Sequence, residues 1–153
     1  MRFRLLAVGA RQPGWVLDGC DEYARRLPGL SVEELPPGRR TRGGDPAQAL
    51  EDEGRRLLAR IPDAHHVVAL DVGGHEYDTP GLARRLEHWL TLGTPVDFLI
   101  GGPDGLSGAC RARAAELWSL SRLTLPHGLA RVLSVEALYR AWSLRQGHPY
   151  HRA

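Results

Sequence analysis

Short apolar runs alternate along the chain with longer stretches in which apolar residues recur every three or four positions. The short runs predict five β-strands, at residues 3–8, 31–35, 66–72, 96–100 and 117–120. The longer stretches predict five helices, at residues 15–27, 45–60, 79–92, 106–116 and 129–146. Strands that alternate with helices predict a single α/β domain over residues 1–153, with a mostly parallel sheet covered by helices on both faces.

Proline, aspartate and glycine mark several helix ends. Asp45 before Pro46 predicts an N-cap followed by proline at the first helical position. Asp78 marks the start of the next helix in a similar way. Gly93 and Gly147 follow the last periodic residues of two helices, so both are expected to end them.

The last helix is apolar on two sides. Its first arc carries Leu129, Leu133, Ala137 and Leu144. Its nearly opposite arc carries Val135, Leu138 and Trp142. Such a helix needs two partners, its own sheet and, in so small a chain, a second copy of the chain. If the second arc forms that contact, Trp142 is expected to be a hot spot.

Two charged residues interrupt the first arc. Glu136 and Arg140 are four residues apart in the order that favours an ion pair along a helix. The pair is either a simple intrahelical ion pair or part of a polar cluster that faces a site.

Composition excludes several classes of protein. The twenty basic residues are all arginine, which removes the lysine that a P-loop or a Schiff base needs. No apolar run reaches the ~18 residues of a membrane span, and the N-terminal run is too short for a signal peptide. The seven histidines and two cysteines show no metal-ligand spacing, so no metal is expected and the chain is expected to be cytoplasmic.

The net charge of +2 gives no global basic field. Arginines cluster instead at Arg39-Arg-Thr-Arg42, within a segment rich in proline and glycine. Arginine forks suit phosphate contacts, but a solvated loop would have the same composition.

Two loops follow predicted strands and carry the candidate chemistry. Gly101-Gly-Pro-Asp-Gly105 follows one strand, although it does not match the dinucleotide-binding pattern Gly-x-Gly-x-x-Gly. Ser121-Arg-Leu-Thr-Leu-Pro126 follows the next and has few ionisable groups. Ligands bind at the carboxyl ends of strands in open α/β sheets, so the two loops are expected to form opposite walls of one pocket. Backbone hydrogen bonds and apolar walls suit a ring such as adenine.

The C-terminal tail groups three chemically useful side chains, Tyr150, His151 and Arg152. Together they offer base stacking, a proton acceptor near neutral pH and a phosphate-binding fork. The alternative is a frayed terminus, as is usual for the last residues of a chain.

Four motifs, in this order, resemble the RlmH family, the small SPOUT-class methyltransferases that modify a pseudouridine of large-subunit ribosomal RNA. They are Leu99-Ile-Gly-Gly-Pro-Asp-Gly-Leu-Ser107, Trp118-Ser-Leu-Ser-Arg-Leu-Thr-Leu-Pro-His127, Glu136-Ala-Leu-Tyr-Arg-Ala-Trp142 and Pro149-Tyr-His-Arg152. The family's central loop commonly carries lysine, and the arginines of residues 39–42 keep that charge.

The resemblance implies a SPOUT fold with a trefoil knot in its C-terminal part, an obligate homodimer and S-adenosylmethionine as the methyl donor. The implied cofactor positions are Leu70, Asp71, Gly101, Gly102, Ser121, Arg122, Leu123, Thr124, Leu125 and Pro126. The implied acceptor is N3 of a pseudouridine in 23S ribosomal RNA, within the assembled ribosome.

Catalytic roles follow as hypotheses from this chemistry. His151 has a reference pKa suited to removing the N3 proton. Tyr150 is placed to stack on or hydrogen-bond the base, and Arg140 and Arg152 to hold a phosphate or carbonyl. Glu136 would orient Arg140 or His151, and the tail is expected to serve the partner's site. Two alternative functions remain for the protein: a non-catalytic ribosome-binding factor, and a SPOUT methyltransferase that acts on transfer RNA.

Overall fold

A computed structural model describes residues 2–151, with only the backbone of His151. Its five strands are β1 (Phe3–Val8), β2 (Leu30–Leu35), β3 (His66–Glu76), β4 (Val96–Ile100) and β5 (Glu116–Ser119). Its helices are α1 (Gly14–Ala24), α2 (Ala47–Ala59), α3 (Thr79–Thr91), α4 (Gly108–Arg113), α5 (His127–Arg145) and a terminal 3-10 turn (Pro149–His151). The strands pair in the order β2-β1-β4-β3-β5, and every pair is parallel. The predicted α/β class is therefore confirmed, whereas the knot stays a prediction.

Helices cover both faces of the sheet, and each face has its own apolar core. Alternate residues of β1 point to opposite faces, so Phe3 and Leu5 enter one core while Leu6 and Val8 enter the other. The first core packs beneath α1, α3 and α5, and the second beneath α2 and α4. All five residues of β4 are buried, and all but Asp97 are apolar, because both faces of a parallel sheet are covered.

Most helix ends lie where the sequence predicts them. The Asp78 carboxylate accepts a hydrogen bond from the Gly81 N–H at 2.7 Å, as expected of an N-cap. Gly93 and Gly147 have φ of 71° and 69°, which suits the left-handed residue after a helix. At α2 the N-cap is Pro46, one residue later than predicted, although Asp45 still accepts from the Ala47 N–H at 3.0 Å.

Two element boundaries differ from the expectation for a physical reason. Strand β3 continues to Glu76 instead of ending at residue 72, because it resumes pairing with β5 after an irregular segment. Helix α4 begins after Ser107, whose side chain caps it, and ends before Ala114. The Ala115 N–H then donates to the Val67 carbonyl at 2.9 Å, which draws the chain into β5.

The two arcs of α5 divide between the interior and the surface. Val135 and Leu138 are fully buried in the chain's own core, and Trp142 stacks on Tyr139 with ring centroids 6.0 Å apart. Val135 and Leu138 are therefore not available to a second copy, whereas a contact through the partly buried Trp142 stays a prediction. Leu133, on the first arc, is 37% exposed, so the free apolar surface lies on the other side of the helix.

No helix among residues 2–151 is long and apolar enough to cross a bilayer.

Two ionic networks, each built around a carboxylate, hold the amino ends of the strands. In the first, Asp97 of β4 is wholly buried and receives two hydrogen bonds from the Arg4 guanidinium, each 2.7 Å long. His65 also contacts Asp97, at 2.8 Å from Nδ1 to Oδ2. The bidentate arginine offsets the cost of burying this carboxylate in the middle of the sheet.

The second network joins β5 to α3 through Glu116. Its carboxylate accepts hydrogen bonds from Arg85 Nε at 2.6 Å and from the Trp89 indole at 2.8 Å, and it contacts His66. Burial by itself would raise the pKa of Glu116, but these hydrogen bonds outweigh it and lower the pKa to about 2.

Glu116→Gln should destabilise the protein by about 3 kcal/mol at neutral pH, because the charged hydrogen bonds are lost. A lowered carboxylate pKa stabilises the fold above the unfolded value near 4.5, and that contribution is lost as the pH falls towards 2. Urea unfolding from pH 7 to pH 2 should therefore show the wild type and the variant converging below pH 4.5. The exposed Glu87, which pairs with Arg145, provides the control variant Glu87→Gln. A constant difference across this range would contradict the prediction.

Candidate functional site

A cleft of about 380 Å³ opens at the carboxyl ends of β4 and β5, beside the middle of β3. Eight of the ten positions expected to hold a ligand line it: Leu70, Asp71, Gly101, Gly102, Ser121, Leu123, Thr124 and Leu125. The two loops singled out in the sequence therefore form walls of one pocket, as predicted. Its size lies in the range usual for small-molecule sites.

One wall of the cleft is an irregular segment within β3. Trp118 of β5 pairs with both Leu70 and His75, so the residues between them leave the regular ladder. Asp71 turns this segment by accepting a hydrogen bond from the Gly73 N–H at 3.0 Å. A Cβ on Gly74 would lie 2.6 Å from the Leu117 carbonyl carbon, so the segment packs directly on the β5 backbone. This arrangement directs Asp71 and Val72 into the cleft lining.

A tight loop after β4 forms the second wall. The Gly105 N–H donates to the Gly102 carbonyl at 3.1 Å, and Gly105 has φ of 81°. A Cβ on Gly101 would lie 2.2 Å from the Gly105 carbonyl oxygen, so only glycine fits there. A Cβ on Gly102 would instead meet Val8 Cγ1 at 3.2 Å. Gly101 is thus needed for close packing within the protein, a role separate from any approach to a ligand, whereas a Cβ on Gly102 would require only a small shift of the Val8 side chain.

The third wall is the loop after β5. The Ser119 hydroxyl donates to the Ser121 carbonyl, and the Leu123 N–H donates to the Ser121 hydroxyl, both at 2.9 Å. Leu123 is 74% exposed at the cleft, an apolar side chain that a bound ligand would cover. The remaining two predicted positions lie outside the lining: Arg122 extends to Glu76 at 3.1 Å, and Pro126 caps α5.

The cleft also contains side chains that the sequence did not single out for a ligand. His127, in the first turn of α5, lines the cleft and contacts Gln12 at 3.3 Å between their Nε2 atoms. Burial, followed by the charge of Arg131, lowers the pKa of His127, so its ring is neutral near pH 7. The carboxylate of Asp104 also lines the cleft, beside that of the predicted Asp71, which is 3.3 Å from Arg111 Nη2. Only the Pro-His turn before α5 signalled His127 in the sequence.

The tail residues form a separate cluster on α5. Arg140 binds the Glu136 carboxylate through Nε at 2.9 Å and Nη2 at 2.7 Å, and the Tyr150 hydroxyl donates to the same carboxylate at 3.0 Å. The Arg140 guanidinium carbon lies 4.9 Å from the centre of the Tyr150 ring. The pair predicted along the helix is therefore part of a polar cluster.

Tyr150 is held in place by aromatic packing. Its ring lies 4.7 Å from that of Tyr139 and 6.3 Å from that of Tyr23, between centroids. Burial first, and then hydrogen bonding with Tyr23 and Glu136, raise the pKa of Tyr150, so its hydroxyl stays protonated and acts as a donor. The chain is therefore packed, not frayed, as far as Tyr150. The side chain of His151 and the whole of Arg152 lie outside the described residues.

The cleft and the tail cluster are well separated within one chain. Ala130 lines the cleft, and Arg140 lies ten residues further along α5, which corresponds to ~15 Å along the helix axis. The cluster occupies the same side of α5 as Leu129 and Leu133. The described side chains, those of residues 2–150, bring together no group of three or more suited to hold a metal ion.

Comparisons with known proteins agree on one family. A family model described as "Predicted SPOUT methyltransferase" matches residues 1–151. "Ribosomal RNA large subunit methyltransferase H" of Alkalilimnicola ehrlichii is 58% identical over the full length of both chains. The protein of the same name from Methylococcus capsulatus is 54% identical over 99% of this chain and 100% of its own length.

Two solved structures share the fold at low sequence identity. A probable methyltransferase from Bordetella pertussis has a TM-score of 0.55 at 19% identity, covering 92% of this chain and 95% of its own. A ribosomal RNA small subunit methyltransferase E from Neisseria gonorrhoeae, bound to S-adenosyl methionine, also has a TM-score of 0.55, at 12% identity. That match covers 90% of this chain and 65% of the other.

Gly101→Ala should destabilise the protein by about 2 kcal/mol, because the new methyl group collides with backbone that cannot rotate away. Urea unfolding measures the difference. Gly108→Ala is the matched control, since a Cβ there meets no atom within 4 Å and alanine favours the first turn of α4. Equal stability of the two variants would show that the loop after β4 is not close-packed.

Proposed function

Because the chain belongs to the SPOUT methyltransferases, and within them to the ribosomal RNA large subunit methyltransferase H family, we propose that it methylates N3 of a pseudouridine in 23S ribosomal RNA. The observation that carries the proposal is the cleft between the loops after β4 and β5, lined by eight of the ten residues that the family resemblance assigns to the cofactor. The proposed substrate is the ribosome assembled in the cytoplasm.

The cleft suits S-adenosylmethionine in size and chemistry. Its apolar lining, which includes Leu70, Leu123 and Leu125, suits the adenine ring. Asp71 and Asp104 suit a ligand that carries positive charge on its sulfonium and amino groups. When bound, the cofactor supplies an electrophilic methyl group. The protein's contribution is to fix the donor and the acceptor in line.

The tail cluster provides groups for the RNA. Glu136 holds both Arg140 and Tyr150, so the guanidinium and the phenol present a fixed surface. Arg140 is proposed to contact a phosphate or a base carbonyl, and Tyr150 to donate to or stack on the base. The raised pKa of Tyr150 makes it unsuitable as a base at neutral pH. His151 is therefore proposed to take the N3 proton, and Arg152 to bind RNA.

A homodimer would bring the two halves of the site together. Within one chain the tail cluster lies ~15 Å along α5 from the cleft, too far for its side chains to reach a base beside the cofactor. The partly exposed arc of α5 that carries Leu129 and Leu133 is the proposed contact surface. The tail of one protomer would then complete the cleft of its partner.

Leu133→Glu should dissociate the dimer at micromolar concentration, because it places a charge in the proposed apolar contact. Trp142→Ala, which removes a side chain packed on the chain's own core, should lower thermal stability without comparable dissociation. Sedimentation velocity distinguishes the two outcomes. A monomeric wild type would overturn the dimer, and an unchanged dimer in Leu133→Glu would reassign its interface.

Deleting the gene should remove one methylated pseudouridine from 23S ribosomal RNA, as measured by nucleoside mass spectrometry. The wild-type gene should restore it, whereas a gene lacking residues 150–153 should not, because Tyr150, His151 and Arg152 are lost together. The truncated protein should still bind S-adenosylmethionine in isothermal titration, since the cleft is intact.

Three outcomes would count against this assignment. No cofactor uptake by the wild type would favour a non-catalytic ribosome-binding factor. A change confined to transfer RNA would identify a different substrate. Full methylation by the truncated protein would remove the tail from the mechanism.

A further inference from the structure

We propose that Arg40 is a positioning residue that fixes the Asp104 wall of the cleft by linking it to Glu53 of α2. The inference rests on the proposed function, because it concerns the affinity of the same cleft for S-adenosylmethionine. It gives one arginine of the 39–42 cluster a defined role.

The link is a row of three charged side chains in contact, with Arg40 between Glu53 and Asp104. Arg40 binds Glu53 through Nη1 at 2.6 Å and Nη2 at 3.2 Å, and its Nε donates to Asp104 Oδ2 at 2.9 Å. The Glu53 side chain is only 2% exposed, so water competes little for the fork between the two residues. Asp104 lines the cleft and is the only member of the three that does so among the described residues.

The backbone before Arg40 is fixed to α2 as well. The Gly38 N–H donates to Glu53 Oε2 at 2.9 Å, and a Cβ on Gly38 would lie 2.3 Å from the Ala49 carbonyl oxygen. Arg56 Nη1 donates to the Pro36 and Pro37 carbonyls at 3.0 and 2.9 Å. Arg40 therefore extends from an anchored segment, so the solvated loop that the composition of the 39–42 cluster allowed does not describe Arg40.

These contacts also show whether the Arg40 guanidinium binds protein carboxylates or is free to bind an RNA phosphate. Its Nε, Nη1 and Nη2 all donate to protein acceptors, so its fork is occupied by carboxylates and is not presented to an RNA phosphate. Asp104 lies between Gly102 and Gly105 in the tight loop after β4. Fixing its carboxylate sets the position of the negative charge that faces a cationic ligand.

A double-mutant cycle on cofactor affinity tests the link. Asp104→Asn, Arg40→Gln and the double variant are titrated with S-adenosylmethionine by calorimetry, and their melting temperatures are measured in parallel. Each single variant should weaken binding about tenfold, and the double variant should be no weaker than either, because both changes break the same link. Arg40→Lys should recover part of the affinity. Methylation rates at saturating cofactor should fall much less than affinity.

Arg55→Gln is the matched control. Arg55 is an arginine of the same helix as Glu53, it is 69% exposed, and it pairs with Asp52 on the surface. Its replacement removes the same charge and should leave cofactor affinity unchanged. If Arg40→Gln does not fold because Glu53 is left unpaired, Asp104→Asn and Arg40→Lys still report on the link.

The outcomes separate this inference from the proposed function. Failure of the wild type to bind S-adenosylmethionine would overturn both. Binding by the wild type with unchanged affinity in Arg40→Gln would overturn the positioning role alone. Additive losses in the double variant would show that Asp104 acts on the ligand without Arg40. A loss of melting temperature with no loss of affinity would leave Arg40 a purely structural residue.

Discussion

The cleft depends on the parallel pairing of β4 and β5 with the two edges of β3. Because all strands run in the same direction, their carboxyl ends meet at one edge of the sheet. The chain passes from β4 through α4 to β5 on the far side of β3, so the loops after β4 and β5 face each other across the middle of β3. The irregular segment of β3 fills the space between them. Three walls therefore come from three strands, and none of them forms a pocket by itself.

Buried or partly buried carboxylates hold this frame at several points, and each is paired with arginine. Asp97 and Glu116 secure the amino ends of the strands through Arg4 and Arg85. Glu53 secures the cleft end through Arg40. A chain without lysine relies on the planar guanidinium, which binds a carboxylate with two parallel hydrogen bonds and keeps its charge when partly buried.

The partly exposed arc of α5, which carries Leu129 and Leu133, is the surface proposed to contact both the second protomer and the RNA. It carries the half-exposed apolar residues and, between them, the Glu136–Arg140–Tyr150 cluster. A surface that combines apolar side chains with held polar groups suits a dimer contact that also meets RNA. The aromatic packing of Tyr150 on Tyr139 makes the tail part of this surface.

Local sequence signals are sufficient for the strands, the helix order and the two ligand loops. An apolar run predicts a strand, and Asp78 and Gly93 mark the two ends of α3, through residues that are close in sequence. The position of a loop directly after a strand is a local property as well. The packing of α5 is different, because its two arcs are equally apolar in sequence and only the folded chain shows which one the core takes. The role proposed for Arg40 also has no local signal, since it depends on Glu53 and Asp104, which are distant in sequence.

The sequence by itself determined the α/β class and the alternation of elements through periodicity, and short motifs carried the family resemblance, eight of whose ten implied ligand positions line the cleft. Tertiary structure decided how far β3 extends, which arc of α5 is free, and that Arg40 binds carboxylates. These features depend on which residues distant in the chain become neighbours. That is set by the order of strands in the sheet, a property that no short segment of the chain encodes.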